Sequence, residues 1–206
     1  MIDTSRKNLA LAACMLGAFM TTTLASAEQL ANTPASKVIA RCETCHGPGG
    51  NSLSGTVPRL NGQNVEYIRR RLSELQDPTR EDPHATRTMG AIGHEFDTAT
   101  LAAIETFFSN QLPSQPLGSR AHAAEGMKIF MNGAAAQNVP ACRTCHGDNA
   151  EGNGEIPRLA GQHAIYLSNQ LQRLRLSMRE SPTMYHPTRA MTDAQIDAIV
   201  AFLANR

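Results

Sequence analysis

The chain has 206 residues, a formal net charge of +1 and an aromatic content of only 4%, with no tryptophan. This balanced charge argues against a nucleic-acid-binding protein, since such proteins carry a strong positive field. The length suits one domain or two small domains of about 100 residues each. Small domains with so few large rings have difficulty filling a core from side chains alone, so the composition favours a buried apolar group.

The chain begins with a segment that has the pattern of an export signal. Two basic residues open it, residues 9–20 are apolar, and Ala25-Ser26-Ala27 is a small-x-small cleavage site. The apolar run of 12 residues is too short to span a bilayer, which needs about 20. We therefore expect residues 1–27 to be a cleaved signal peptide and the mature protein to be periplasmic. Lipid attachment at Cys14 is the alternative, but the apolar run before that cysteine is too short for it.

A Cys-x-x-Cys-His pentapeptide occurs twice, at residues 42–46 and 142–146. This pattern is the attachment signature for c-type haem. Two thiols three positions apart lie on one side of a helical turn, where each can form a thioether with a haem vinyl group. The histidine that follows is then held beneath the porphyrin, where its imidazole can ligate the iron. The sequence predicts two covalent haem c groups, one on Cys42 and Cys45 and one on Cys142 and Cys145, with His46 and His146 as proximal ligands.

Paired cysteines of this kind also occur in zinc sites and in thioredoxin-like redox centres. Zinc sites place their two pairs about 15 to 20 residues apart, whereas a whole domain separates the pairs in this chain. Once Cys14 is removed with the leader, the two motifs account for all four remaining cysteines. Haem attachment is therefore the favoured interpretation, and no structural disulfide is expected.

The two halves of the chain repeat one another at an offset of about 100 residues. Beyond the haem motifs, a Pro-Arg-Leu-x-Gly-Gln sequence occurs at 58–63 and at 157–162, and a tyrosine follows four positions later in each half. Residues 112–118 lie between the halves and contain two prolines, as is typical of a short, stiff spacer. We predict an N-terminal domain at residues 28–111, a linker at 112–118 and a C-terminal domain at 119–206.

Each half has the pattern of an all-α domain. We expect a helix before each haem motif, at about residues 34–42 and 119–132, and the first of these is expected to be less regular because it lacks a counterpart of Gly126. Thr192 and Gln195 have the spacing of a capping box at the start of the final helix. The middle and last helices of each half carry apolar residues at helical spacing. In the first half these are Tyr67, Leu72 and Leu75 in the middle helix, and Leu101, Ile104 and Phe108 in the last. In the second half they are Tyr166, Leu171 and Leu174 in the middle helix, and Ile196, Ile199 and Leu203 in the last.

The sixth iron position decides whether a haem protein carries electrons or binds a substrate. In the first half Met89 is the only methionine after the leader, and we expect it to be the distal ligand. His84 and His94 flank it and are the competing residues. The segment at residues 77–88 contains His84 and is longer than the corresponding segment of the second half. His84 therefore stays open as an alternative distal ligand.

In the second half the choice of distal ligand lies between two methionines. Counting forward from His146 favours Met191, whereas counting back from the last helix favours Met184, which follows a threonine just as Met89 does. The loop before the ligand can vary in length, while the helix after it fixes the position of the ligand. We therefore predict Met184 as the ligand and an ordinary core role for Met191.

Together these motifs resemble the di-haem cytochrome c4 family, in which two class I cytochrome c domains are fused in tandem. The resemblance covers nearly the whole mature chain and implies a periplasmic electron carrier, often membrane-associated, between a quinol-oxidising complex and a terminal oxidase. It also implies that the carbonyl groups of Pro58 and Pro157 accept hydrogen bonds from the proximal histidines. Further haem contacts, some of them to propionates, are expected from Arg59, Gln63, Tyr67, Arg158, Gln162 and Tyr166.

Two other functions fit parts of the pattern. The electron-accepting di-haem subunits of larger dehydrogenases, such as a sulfide-oxidising flavocytochrome, look similar, and the sequence does not exclude that role. A haem enzyme such as a peroxidase needs an open sixth position, which two methionines at equivalent places disfavour. We therefore expect an electron carrier that binds redox proteins and transforms no small-molecule substrate.

Overall fold

A computed structural model of the chain describes residues 34–77, 89, 96–116, 123–179 and 181–206. Over these residues the backbone is helical, and its only β-type pairings are isolated bridges. The expected all-α fold is therefore confirmed. In the same part of the chain, no helix has the length and apolar character required to cross a bilayer. The α-helices of the described residues are α1 (Pro34–His46), α2 (Val65–Gln76), α3 (Thr98–Ser109), α4 (Ala123–Asn132), α5 (Arg143–His146), α6 (Ala164–Arg175), α7 (Pro182–Arg189) and α8 (Asp193–Leu203).

The first half has a small core in which α1 and α2 both pack against α3. Ile68 of α2 meets Ile104 and Phe108 of α3 in this core, and partly buried side chains of α1 complete it. Asp97 caps the start of helix α3, since its carboxylate accepts a hydrogen bond from the backbone N–H of Thr100 at 2.7 Å. Such a cap satisfies one of the N–H groups that a helix leaves unpaired at its start.

The second half has a larger core, centred on the crossing of α4 and α8. The two backbones approach so closely at Gly126 that a Cβ atom there would lie 1.9 Å from the carbonyl oxygen of Ala198. Close to this crossing, the rings of Phe130 and Phe202 pack with their centroids 5.3 Å apart. A glycine is therefore required in α4 by the distance between the helices.

Helix α8 begins with the predicted capping box. The Thr192 hydroxyl accepts from the backbone N–H of Gln195 at 3.2 Å, and the Gln195 side chain accepts from the backbone N–H of Thr192 at 2.9 Å. This reciprocal pair fixes the start of the helix that carries much of the second core.

The two halves differ in how they reach the haem motif. Helix α1 runs without a break from Pro34 through the first motif to His46, so the first half has no irregular start within the described residues. In the second half, residues 133–142 separate α4 from the short helix α5, which holds the motif. Helix α7 was not predicted, because it contains Pro187 and a proline is usually taken to end a helix.

The linker packs against both halves. Asn61 donates to the carbonyl oxygen of Leu112 at 2.7 Å, and the Ser114 hydroxyl donates to Asn51 at 2.7 Å. On the other side, a Cβ atom at Gly161 would lie 2.7 Å from the carbonyl oxygen of Ser114. Residues 112–116 are therefore held in place between the two halves.

Candidate haem sites and the junction between them

The four motif cysteines lie near the ends of helices, and none of the four forms a disulfide. Cys42 and Cys142 are half-buried, whereas Cys45 and Cys145 are exposed. Burial raises the pKa of the Cys42 thiol and raises that of Cys142 to about 11. Each motif thus has one inner and one outer thiol on the same helical turn, as two thioether bonds to one haem require.

The histidine that ends each motif is buried and oriented by a backbone carbonyl. Nδ1 of His46 lies 2.8 Å from the carbonyl oxygen of Pro58, and Nδ1 of His146 lies 3.1 Å from that of Pro157. Since a carbonyl can only accept, Nδ1 carries the proton and the lone pair of Nε2 is free. Burial lowers the pKa of both histidines more than the carbonyl contacts raise it, which keeps the rings neutral. A neutral imidazole with a fixed tautomer suits an iron ligand.

A cavity lined almost entirely by apolar groups adjoins His146 in the second half. Met184 of α7 and Met191, just before α8, both line it. Met191 is only 6% exposed and belongs to the hydrophobic core, while Met184 is half-buried. The structure therefore brings both methionines to the histidine's cavity, and the choice of Met184 stays a prediction.

In the first half, Met89 is half-buried, and the residues on either side of it lie outside the described part of the chain. His84 and His94, the competing ligands, also lie outside the described residues, as does the leader at residues 1–27. The distal ligand of the first half therefore remains an expectation from the sequence.

The predicted haem contacts Arg59 and Arg158 lie where the two halves meet. The guanidinium of Arg59 donates through Nη1 to the carbonyl oxygen of Gly161 in the other half. The Nε atoms of both arginines are buried and have no hydrogen-bond partner among the described residues. Burial lowers the pKa of Arg59 and of Arg158. Buried guanidinium N–H groups of this kind suit the carboxylates of haem propionates.

The two predicted glutamines reach across the junction instead of staying within their own halves. The Gln63 side chain accepts from the backbone N–H of Arg158 at 2.8 Å and donates to its carbonyl oxygen at 3.0 Å. Gln162 makes the same pair of contacts to Arg59, at 2.9 and 3.0 Å. The sequence repeat marked both residues, but only the packing of the halves could reveal that each binds the other half.

The first predicted tyrosine also contacts the opposite half. The hydroxyl of Tyr67 accepts from Nη2 of Arg179 at 3.2 Å. Burial raises the pKa of Tyr67, but the positive charges of Arg179 and Arg71 outweigh it and bring the pKa below its usual value. Tyr166 is half-buried, and its phenol helps to raise the pKa of Arg179. Arg179 was not predicted as a site residue.

A further contact across the junction was also missed by the sequence. His163 lies in the loop just before α6, and its Nε2 lies 2.8 Å from the carbonyl oxygen of Ser52. Asn64 adds another link by donating to the carbonyl oxygen of Ile156 at 2.7 Å. The junction is thus a continuous set of hydrogen bonds in which both halves supply donors and acceptors.

These features fit two covalent haems. Each half supplies two thiols, a buried histidine whose ring is neutral and, on the side of the junction, an arginine whose Nε atom is buried without a partner among the described residues. Such an N–H group suits a propionate carboxylate. In the second half, the apolar cavity beside His146, which Met184 and Met191 both line, has the character that a haem face requires.

Comparison with known proteins supports this assignment. The cytochrome c family profile matches residues 123–206. Cytochrome c4 of Azotobacter vinelandii is 32% identical over 149 residues, which cover 68% of this chain and 70% of that protein. A protein of Stutzerimonas stutzeri (strain A1501) named thiosulfate dehydrogenase electron acceptor is 33% identical over 171 residues, covering 80% and 78%. The solved structure of cytochrome c4 from Acidithiobacillus ferrooxidans is 33% identical, with a TM-score of 0.77, and the match covers 81% of this chain and 99% of that one.

The resemblance seen in the sequence is confirmed by these matches, as are the class I cytochrome c fold and the two covalent haem c groups. The chain belongs to the cytochrome c4 family and is a di-haem electron-transfer cytochrome, not a haem enzyme.

Proposed function

We propose that the protein carries electrons in the periplasm from a quinol-oxidising complex to a terminal oxidase. The observation that carries the proposal is the repeated histidine–carbonyl pair, His46 with Pro58 and His146 with Pro157. It places two equivalent haem sites in one chain, and the junction holds them together. A fixed pair of redox centres lets electrons enter at one haem and leave at the other.

The residues around each haem would act by fixing and insulating it. When bound, each haem supplies an iron that cycles between the ferrous and ferric states. Nε2 of His46 and of His146 would bind the iron, while the cysteine thioethers anchor the ring. In the second half, apolar side chains of the cavity, such as Phe130 and Leu159, exclude water and so limit the reorganisation that accompanies a change of charge.

We assign the distal ligands to Met89 and Met184. Met184 lines the cavity beside His146, and Met89 is the only methionine in the first half after the leader. A methionine in the sixth position gives a relatively high potential and leaves no open site for a substrate. This closure favours electron transfer over peroxidase chemistry. His84 is the alternative ligand in the first half.

The proposed location rests on the leader at residues 1–27, whose pattern is that of an export signal. Fusion of these residues to a reporter that is active only in the periplasm tests the location. An active reporter supports export, and an inactive one, with the fusion protein present in the cytoplasm, contradicts it. Peripheral attachment to the membrane, as the family resemblance implies, is tested by salt release of the protein from isolated membranes.

A second candidate function is electron acceptance from a dehydrogenase. The 33% identity to a protein named thiosulfate dehydrogenase electron acceptor favours it. The earlier alternative of a subunit of a sulfide-oxidising flavocytochrome belongs to the same class. In either case the donor would be a soluble or tightly bound dehydrogenase instead of a membrane quinol-oxidising complex.

Stopped-flow reduction of the purified holoprotein distinguishes the two functions. The oxidised protein is mixed with quinol and membranes that contain a quinol-oxidising complex, and separately with thiosulfate and a thiosulfate dehydrogenase. We expect fast reduction of both haems by the membranes, followed by reoxidation when oxidase-containing membranes are added. If the thiosulfate dehydrogenase reduces the protein fast and the membranes do not, the first function is contradicted and the second is established.

A further inference from the structure

Two peptide groups connect the haem sites across the junction. In the peptide that joins Pro58 to Arg59, the carbonyl oxygen lies 2.8 Å from Nδ1 of His46, and the N–H donates to Oε1 of Gln162 at 2.9 Å. The peptide group is a single conjugated unit, so its two ends are electronically linked. It therefore connects the histidine of the first half to a glutamine of the second.

The same arrangement occurs in the opposite direction. In the peptide that joins Pro157 to Arg158, the carbonyl oxygen lies 3.1 Å from Nδ1 of His146, and the N–H donates to Oε1 of Gln63 at 2.8 Å. Each half thus supplies a glutamine to the histidine-binding peptide of the other half. The relationship is reciprocal.

The orientation of both glutamines is determined by their partners. A backbone N–H can only donate, so the side-chain atom that faces it must be the oxygen, and the nitrogen must face the arginine carbonyl. Gln63 and Gln162 are each 7% exposed, so water competes little for these contacts. Each side chain makes two hydrogen bonds to the opposite half, and its oxygen also accepts from the backbone N–H of the next residue, Asn64 or His163, at 3.0 Å. Together these contacts hold the amide oxygen on the peptide N–H.

We propose that each glutamine tunes the haem of the opposite half through this peptide. A peptide whose N–H donates a hydrogen bond has a more negative carbonyl oxygen, because hydrogen bonds in a chain strengthen one another. That oxygen accepts more strongly from Nδ1–H of the proximal histidine, which makes the imidazole a better electron donor to the iron. A stronger donor stabilises the ferric state and lowers the reduction potential.

The assignment is therefore crossed. Gln162, in the second half, lowers the potential of the haem on His46. Gln63, in the first half, lowers the potential of the haem on His146. The inference rests on the proposed role of the two histidines as axial ligands. Both glutamines are positioning residues that do not touch the haem iron.

The test uses holoprotein variants and NMR redox titrations in which the signals of each haem are assigned separately. Gln162→Leu should shift the potential of the haem on His46 upwards and leave that of the haem on His146 at its wild-type value. Gln63→Leu should do the reverse. Asn64→Ala is the matched control, because it removes another hydrogen bond across the junction, to Ile156, without touching either peptide. This control should not shift the reduction potential of one haem while leaving that of the other unchanged.

Equal shifts of both potentials in each glutamine variant, or the same shifts in Asn64→Ala, would overturn the proposal and leave the glutamines as simple interface residues. A shift confined to the haem of the glutamine's own half would overturn it as well. The low-spin spectrum of each variant reports whether histidine still ligates the iron, so loss of ligation is distinguished from loss of tuning.

A second measurement does not depend on the stability of any variant. In the reduced, diamagnetic wild-type protein, scalar coupling across a hydrogen bond should connect the amide nitrogen of Arg59 to the side-chain carbonyl carbon of Gln162. An equivalent coupling should connect Arg158 to Gln63. If neither coupling is detected while those of helical backbone pairs are, the crossed contacts are absent and the proposal fails.

Discussion

Gly126 and Ala198 mark the closest approach of two helices in the second half. A Cβ atom on Gly126 would lie 1.9 Å from the carbonyl oxygen of Ala198 and 2.8 Å from the Cβ of Phe202. The first of these neighbours is helix backbone and cannot rotate away. Any side chain at position 126 must therefore push α4 away from α8 and open the larger of the two cores.

We expect Gly126→Ala to destabilise the second half. Alanine gains about 1 kcal/mol of helix propensity over glycine, but the forced separation of the helices costs more, and overpacked cores lose about 1–3 kcal/mol net. Denaturant unfolding of the holoprotein measures the loss. Met127→Ala is the matched control, because Met127 is 50% exposed on the same helix and should change the stability by less than about 0.5 kcal/mol. Equal effects of the two variants would contradict this account.

The capping box at α8 gives a second prediction. Thr192→Ala removes the acceptor for the Gln195 N–H and should lower the free energy of unfolding by about 1 kcal/mol. Thr192→Ser keeps the hydroxyl and should retain most of the stability. Both variants are measured by the same denaturant titration. If serine is as destabilising as alanine, the hydroxyl contact is not the source of the stability.

Local features of this fold could be predicted from the sequence because they depend on nearby residues. The capping box follows from the three-residue spacing of Thr192 and Gln195, and the last helix follows from its apolar period. The proline carbonyls that meet the histidines were implied by the family resemblance. All of these contacts form within one half of the repeat.

Features of the junction could not be predicted, because they depend on how the two halves pack. Gln63 and Gln162 occupy equivalent places in the repeat, and nothing in either half indicates that each side chain binds the other half. The contact of His163 with the Ser52 carbonyl could not be predicted for the same reason. Helix α7 was missed because Pro187 lies inside it, and a proline is usually taken to end a helix.

His163 makes the stability of the junction depend on pH. Burial and the positive charge of Arg59 lower the pKa of His163, and together they outweigh the contact with the Ser52 carbonyl, which raises it. The folded protein therefore binds fewer protons than the unfolded chain as the pH falls below the ordinary histidine value of 6.5. Stability should decrease as the pH falls from 6.5 through the lower pKa of the folded state.

The variant His163→Gln tests this dependence, because glutamine can still donate to the Ser52 carbonyl but does not titrate. We expect the melting temperature of the wild-type protein to fall more steeply than that of the variant between pH 6.5 and the pKa of His163 in the folded protein. Above pH 6.5 the melting temperatures of the two proteins should change with pH in parallel. An NMR titration of His163 that gives a pKa at or above the ordinary value would contradict the prediction.

The choice between Met184 and Met191 can be decided because their burial predicts opposite defects. Met184→Ala should remove the weak far-red charge-transfer band of one methionine-ligated ferric haem while the band of the other haem remains. Met191 is 6% exposed in the hydrophobic core, so Met191→Ala should keep both bands but cost about 2–5 kcal/mol of unfolding free energy. Absorption spectra of the oxidised holoproteins and denaturant titrations measure the two effects. Loss of a band in Met191→Ala, with both bands present in Met184→Ala, would assign the ligand to Met191, because only the methionine bound to the iron produces that transition.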